Sequence, residues 1–205
     1  MESYTTILKE AEFEYEDRKS VFISTAAPVK TEEEALNFIG YVKKKYPDAR
    51  HHVYAYVLRE NSTMRFSDDR EPQGTAGMPT LDAIRKRGCT DTAVVTIRYF
   101  GGTLLGTGGL VRAYSSAAAG AIENAEIITY ALYTSLSVSV SYSDYQKITS
   151  LISSEEFRTN DTRYQDNIMI TGSIKSEFAD AFINKVIEIT SGRAQIKKTG
   201  EKFEY

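Results

Sequence analysis

The chain has 205 residues, 41% of them hydrophobic and 26% charged, with a formal net charge of −3, the make-up of a globular protein that can bury a core without staples. Residues 134–205 hold nine Lys and Arg against ten Asp and Glu, so neither part has the basic excess that coats nucleic acid by charge alone, and any such contact must be local. The single Cys89 excludes an internal disulfide, the Met1–Thr6 start lacks a basic segment followed by an apolar run, and no uncharged apolar stretch approaches the ~20 residues of a bilayer span; a cytoplasmic protein with no membrane contact is expected.

Phe13–Tyr15 and Val21–Pro28 read as two strands joined by the polar turn Glu16–Lys19. Thr31-Glu-Glu-Glu34 is a capping box, and Ala35, Phe38, Ile39, Val42 and Tyr46 form one helical face until Pro47 stops it. Val53–Leu58 is apolar on both alternating faces, which suits a strand covered on two sides. Pro79 occupies the place of a first helical residue, with Leu81 and Ile84 on one face and Gly88 closing the helix. A strand over Ala93–Phe100 then feeds a Gly-rich loop and a helix from about Thr107 to Asn124 with Leu110, Tyr114, Ala117, Ala118, Ala121 and Ile122 on its apolar side.

Composition changes between Glu126 and Thr134, where alternation of Leu136, Val138 and Val140 with serines marks a half-exposed strand. A capping box at Ser143-x-x-Gln146, strands near Phe157–Tyr164 and Ile168–Ile174, a helix from Ser176 to Gly192 and a last strand over Ala194–Lys198 complete a βαββαβ order. The fold class is therefore α+β in two domains, 1–130 and a ferredoxin-like 131–205.

Eight of the thirteen glycines fall between Gly74 and Gly109, a crowding that marks built loops open to close approach. Gly106-Thr-Gly-Gly109 opens a helix whose free N–H groups and dipole suit a phosphate, although neither a Walker A loop nor a dinucleotide fingerprint is present. Arg98 and Arg112 flank that loop. Either they hold phosphate or a nucleic-acid backbone, or they form structural ion pairs with Asp68, Asp69, Glu71 or Asp82. The candidate ligand set is thus Arg98, Gly101, Gly102, Gly106, Thr107, Gly108, Gly109 and Arg112, supported by His51, Asp68, Asp69 and Glu71. His51 and His52 point to opposite faces of a strand and cannot readily share a metal, Cys89 has no evident His partner, and Ser115 and Ser116 lack a nucleophile elbow. No catalytic set, metal or cofactor is expected.

Phe66–Pro79, Val95–Tyr114 and Tyr46–Tyr56 together resemble the IMPACT family in its bacterial two-domain, YigZ-like form, over nearly the whole chain. The resemblance maps an Asp-Asp-x-Glu-Pro motif onto Asp68, Asp69, Glu71 and Pro72, an Arg-Tyr-Phe-Gly-Gly motif onto Arg98–Gly102, and a Gly-Thr-Gly-Gly-Leu-Val-Arg motif onto Gly106–Arg112. It implies a first domain like domain IV of elongation factor G, a second like its domain V, and a translation theme, since the eukaryotic relatives block activation of a starvation kinase through a scaffold. RNA, the ribosome or a translation factor is the partner it suggests. The rival readings are an enzyme acting on a nucleotide or phosphorylated small molecule, because Gly109–Ala119 faintly resembles the phosphate loop of small-molecule kinases, and a protein-interaction adaptor.

Overall fold

A computed structural model describes residues 3–205, which divide into two compact units, Tyr4–Thr129 and Tyr130–Tyr205 with Ser3. In the first, after β1 (Ser3–Ile7), five antiparallel strands run in the order β2-β3-β6-β4-β5: Ala11–Asp17, Ser20–Pro28, Thr92–Tyr99, His51–Val57 and Met64–Ser67. Helix α1 (Glu32–Lys45) covers one face, where Phe38, Ile39 and Val42 pack on Ala93, Val95 and Ile97. Helices α2 (Gly77–Lys86) and α3 (Gly106–Asn124) cover the other through Leu81, Ile84, Ala118 and Ala121 against Ala26, Ala55 and Val94. Burial from both sides is why β4 and β6 lack alternation in their sequences, and why a charged residue within them needs a partner.

The ends of α1 follow from its residues. The Thr31 hydroxyl accepts from the Glu34 N–H at 3.1 Å, while the Glu34 carboxylate accepts from Lys30 N–H at 2.6 Å rather than from Thr31 itself. Glu32–Glu34 and Lys43–Lys45 sit at the dipole ends that favour their charges. Helix α2 departs from expectation. It begins at Gly77, two residues before Pro79, because the Asp68 carboxylate reaches in from the preceding loop and accepts from Ala76 and Gly77 N–H at 3.1 and 2.7 Å, satisfying N-terminal donors that would otherwise be left without a partner.

The second unit is built on β7 (Ile127–Val140), which starts nine residues earlier than Leu136 and runs through the division, so that its first residues belong to the first unit. With α4 (Tyr142–Ser154), β8 (Arg158–Tyr164), β9 (Ile168–Lys175), α5 (Ser176–Ile189) and β10 (Gln195–Glu204) it forms the split βαββαβ pattern. The order is β10-β7-β9-β8, each neighbouring pair antiparallel. The core joins Leu136, Val138 and Ile170 to Ile148, Phe182 and Val186, with the Phe157 and Phe182 rings stacked at 4.9 Å. β10 extends past Lys198 to Glu204 by pairing with β7 through a bulge at Lys198/Gly200.

Ser141, not Ser143, caps α4, accepting from Asp144 N–H at 3.2 Å. Asp144 is then held by the Arg193 guanidinium, whose Nε and Nη2 donate at 3.0 and 2.8 Å, with Lys147 Nζ at 3.2 Å. The hydrogen bonds from Arg193 hold its carboxyl well below the usual carboxylate range. A depressed carboxylate contributes stability that is complete above the unfolded value of ~3.9 and is lost as pH falls through the folded value. The second unit should therefore melt at progressively lower temperature as pH falls from about 5 towards 2, and Arg193→Ala should flatten that acid limb in pH-dependent calorimetry.

Candidate functional site

The sheet register brings one set of loops to one end of the first unit. Val21 pairs with Tyr99, Arg98 with His51, and Tyr54 with Ser67. The β2–β3 turn, the exit of β6, the start of β4 and the exit of β5 thus lie side by side, and α3 begins from the β6 exit. Arg18 and Lys19 form the β2–β3 turn, both with positive φ. Gly101 packs directly on that turn: a methyl there would overlap the Lys19 carbonyl, and its N–H donates to Ser20 Oγ at 3.1 Å.

The two arginines of the motif part company. Arg98 is 8% exposed, and its Nη1 donates to Glu71 Oε1 at 2.8 Å; Tyr114 Oη donates to the same oxygen at 2.8 Å. Burial first, and the facing Glu71 carboxylate second, push the Tyr114 phenol far up. The Tyr114 ring meets Phe22 edge-on at 5.1 Å, a geometry worth about 1 kcal/mol beyond its area. Arg98 and Glu71 are thus the structural ion pair that the sequence left open as an alternative. Arg98 Nε has no partner among the described residues.

Arg112 is exposed and makes no ion pair or hydrogen bond among the described residues. Its guanidinium lies back over the first turn of α3, within 4.0 Å of where Cβ atoms on Gly108 and Gly109 would stand. That turn has no side-chain cap, so its free N–H groups and Arg112 face the same space. Gly106 adopts φ +70° and Gly102 φ +83°, whereas Gly108 has neither a positive φ nor a close neighbour that demands glycine. Thr107 is exposed beside them.

The acidic candidates serve the loop. Asp68 also accepts from Gly74 N–H at 2.9 Å, so one carboxylate secures three backbone donors. Asp69 accepts from His52 N–H at 2.6 Å through Oδ2, and its carbonyl accepts from His51 Nδ1 at 2.8 Å; because a carbonyl only accepts, that nitrogen carries the proton. His52 Nε2 meets the Tyr46 carbonyl at 2.9 Å. No group of three or more His, Cys, Asp or Glu among the described residues is placed to hold a metal. Cys89 is buried, and burial raises its thiol.

Sequence reasoning overlooked a basic surface. Arg18, Lys19, Arg50, Arg70 and Arg112 come from three loops and one helix start, and none has an ion pair among the described residues. Of the carboxylates nearby, Glu71 is paired with Arg98, Asp68 and Asp69 accept from backbone N–H groups and Asp48 from the Tyr99 hydroxyl at 3.0 Å, while Glu16 and Asp17 precede the Arg18–Lys19 turn. The turn and loops span about 14 Å, three strand spacings, and Phe66, Phe100 and Leu104 are exposed among them.

Residues 18–122, which contain this end, match the Impact N-terminal domain, and residues 138–193 match a domain of unknown function, DUF1949. The IMPACT family member YvyE of Bacillus subtilis is 34% identical over 97% of this chain and 92% of its own length. The chain belongs to the IMPACT family. The family member YigZ of Escherichia coli is 31% identical over 88% of this chain and 90% of its own. A solved structure of a hypothetical protein superposes with a TM-score of 0.61 at 30% identity, covering 98% of both chains, so this IMPACT chain shares its two-domain α+β architecture. Among the described residues no helix is long and apolar enough to cross a membrane.

Proposed function

We propose that this IMPACT protein is a non-enzymatic, translation-linked RNA-binding protein that engages phosphates through the basic end of its first domain. The observation that carries the reading is the set of five cations without an ion pair among the described residues, Arg18, Lys19, Arg50, Arg70 and Arg112, gathered at one sheet end of a chain whose net charge is −3. Local cations with exposed aromatic and apolar side chains between them suit the backbone and bases of a nucleic acid, whose affinity comes from releasing counterions. The uncapped start of α3 beneath Arg112 adds oriented N–H donors. Family membership supports a translation theme loosely and supplies no partner of its own. An enzymatic reading gains nothing from the side chains: both histidine rings are engaged by backbone carbonyls and Cys89 is buried.

Arg112→Ala tests the reading, since the side chain is exposed and its loss orphans no protein group. Titrating wild type and variant against RNA, ribosomes and ATP at two salt concentrations should show weaker RNA or ribosome binding. The log–log salt slope should fall by about 0.7 to 1, with an unchanged melting temperature. Equal affinity in both proteins, or no binding by wild type, would sink it; ATP binding lost in the variant would favour the enzyme.

A further inference from the structure

A cavity of about 240 Å³ opens between the exit of β6 and the start of β4, lined by Arg50, His51, Arg98, Phe100 and Leu104. A second, of about 210 Å³, shares Arg50, Arg98 and Phe100 and adds Asp48 and Tyr99. Arg98 lines both. Its Nη1 is taken by Glu71, while its buried Nε has no partner and Nη2 makes no hydrogen bond among the described residues. Nε–H and Nη2–H share one edge of the planar guanidinium, the edge that grips two oxygens of an oxyanion at once. A buried guanidinium donor left unmatched beside a cavity is what a site looks like when the ligand supplies the acceptor.

Charge narrows the ligand. Glu71 already neutralises Arg98, so the unpaired Arg50 leaves the first cavity one net positive charge. That matches a singly charged phosphodiester better than a terminal phosphate, which carries ≈ −1.5 to −2 near pH 7. The Asp48 carboxylate disfavours a second phosphate in the adjoining space. Beside the anion position, Phe100 is 54% exposed with its ring centroid 5.6 Å from the Arg98 guanidinium carbon, and Leu104, 81% exposed, forms an apolar lip. An aromatic face next to a phosphate clamp suits a stacked base.

We propose that this cavity takes one internal nucleotide of an unpaired RNA strand, its phosphodiester on Arg98 and Arg50, its base on Phe100. The proposal rests on the RNA-binding reading above and gives it a specific subsite. Free nucleotides share the chemistry, so the test has an arm for each source.

The full chain and its Arg50→Ala and Phe100→Ala variants would be titrated with a labelled oligouridylate and with 5′-UMP, with melting curves as a check of fold. Both side chains are exposed and neither holds a buried partner by a hydrogen bond. Each substitution should weaken oligouridylate binding about tenfold. Arg50→Ala should lower the salt slope by about 0.7, one single-strand phosphate contact, whereas Phe100→Ala should leave the slope unchanged, and 5′-UMP should bind at least a hundredfold more weakly than the oligomer. Oligouridylate binding that depends on Arg112 but ignores both substitutions would overturn the cavity while leaving the RNA reading intact. Tight 5′-UMP binding lost in both variants would overturn the strand assignment. No RNA binding by the unsubstituted protein would overturn both.

Discussion

Glu71→Ala is expected to destabilise the first domain by about 3 to 5 kcal/mol, the cost of removing one partner from a buried ion pair. Oε1 of Glu71 accepts from Arg98 Nη1 and from Tyr114 Oη, each at 2.8 Å, with Glu71 and Arg98 8% exposed and Tyr114 fully buried. Removing it leaves a guanidinium whose Nε is already unmatched and a fully buried phenol with no acceptor. In a domain of this size the melting temperature should fall by roughly 10 to 20 °C. Glu71→Gln, which keeps an acceptor for Tyr114 but not the opposing charge, should fall between. Replacing Glu71 and Arg98 together by Leu and Met should recover much of the loss, since the orphaned charge goes too. Denaturant unfolding followed by circular dichroism measures all three; a loss under about 1 kcal/mol for Glu71→Ala would mean that water or another acceptor already satisfies Arg98.

That pair also marks where the sequence could be read and where it could not. Helix α1 and strands β3, β4 and β6 were legible because periodicity, a capping Thr31 and β-branched runs agree with their burial. The partition of Arg98 from Arg112 had a signal: a strand apolar on both faces gives a charged residue no route to water, so Arg98 had to be paired, whereas Arg112 lies on the polar side of α3. Its partner was legible only as one of four carboxylates, Asp68, Asp69, Glu71 or Asp82, because Glu71 reaches it from a loop 27 positions away. Asp68 likewise starts α2 from a distance, so Pro79 misled by a local rule that the tertiary contact outweighs. In Ser141-Tyr-Ser143 two hydroxyls compete for one cap, and the sequence does not say that Ser141 takes it. The basic end stayed hidden for another reason: Arg18, Lys19, Arg50, Arg70 and Arg112 are scattered over 95 residues and vanish in a net charge of −3, becoming one surface only through the strand order β2-β3-β6-β4-β5.

Gly101→Ala should be the second severe substitution, and the contrast with Gly108→Ala separates a glycine the fold requires from one it does not. A methyl at Gly101 overlaps the Lys19 carbonyl and the Ser20 nitrogen, backbone atoms of the β2–β3 turn that cannot swing aside as a side chain would. To make room, the turn must part from the β6 exit, breaking the Gly101 N–H to Ser20 Oγ bond and straining Arg18 and Lys19, which already hold φ of 47° and 66°. Overpacking of this kind, with a hydrogen bond lost beside it, should cost about 3 kcal/mol or more. At Gly108 nothing but the Arg112 Nη1, 3.8 Å off, approaches the Cβ position, and the residue sits in the first turn of α3. Alanine there is a better helix former by up to ~1 kcal/mol, so the domain should melt at the same temperature or slightly higher. If the RNA reading holds, the two variants should also differ in binding: Gly101→Ala displaces the Arg18–Lys19 turn and weakens RNA at any temperature where the domain is still folded, while Gly108→Ala weakens it only by crowding the N–H groups beneath Arg112. Equal stability of Gly101→Ala and wild type would show that the turn and the β6 exit are not packed together as described.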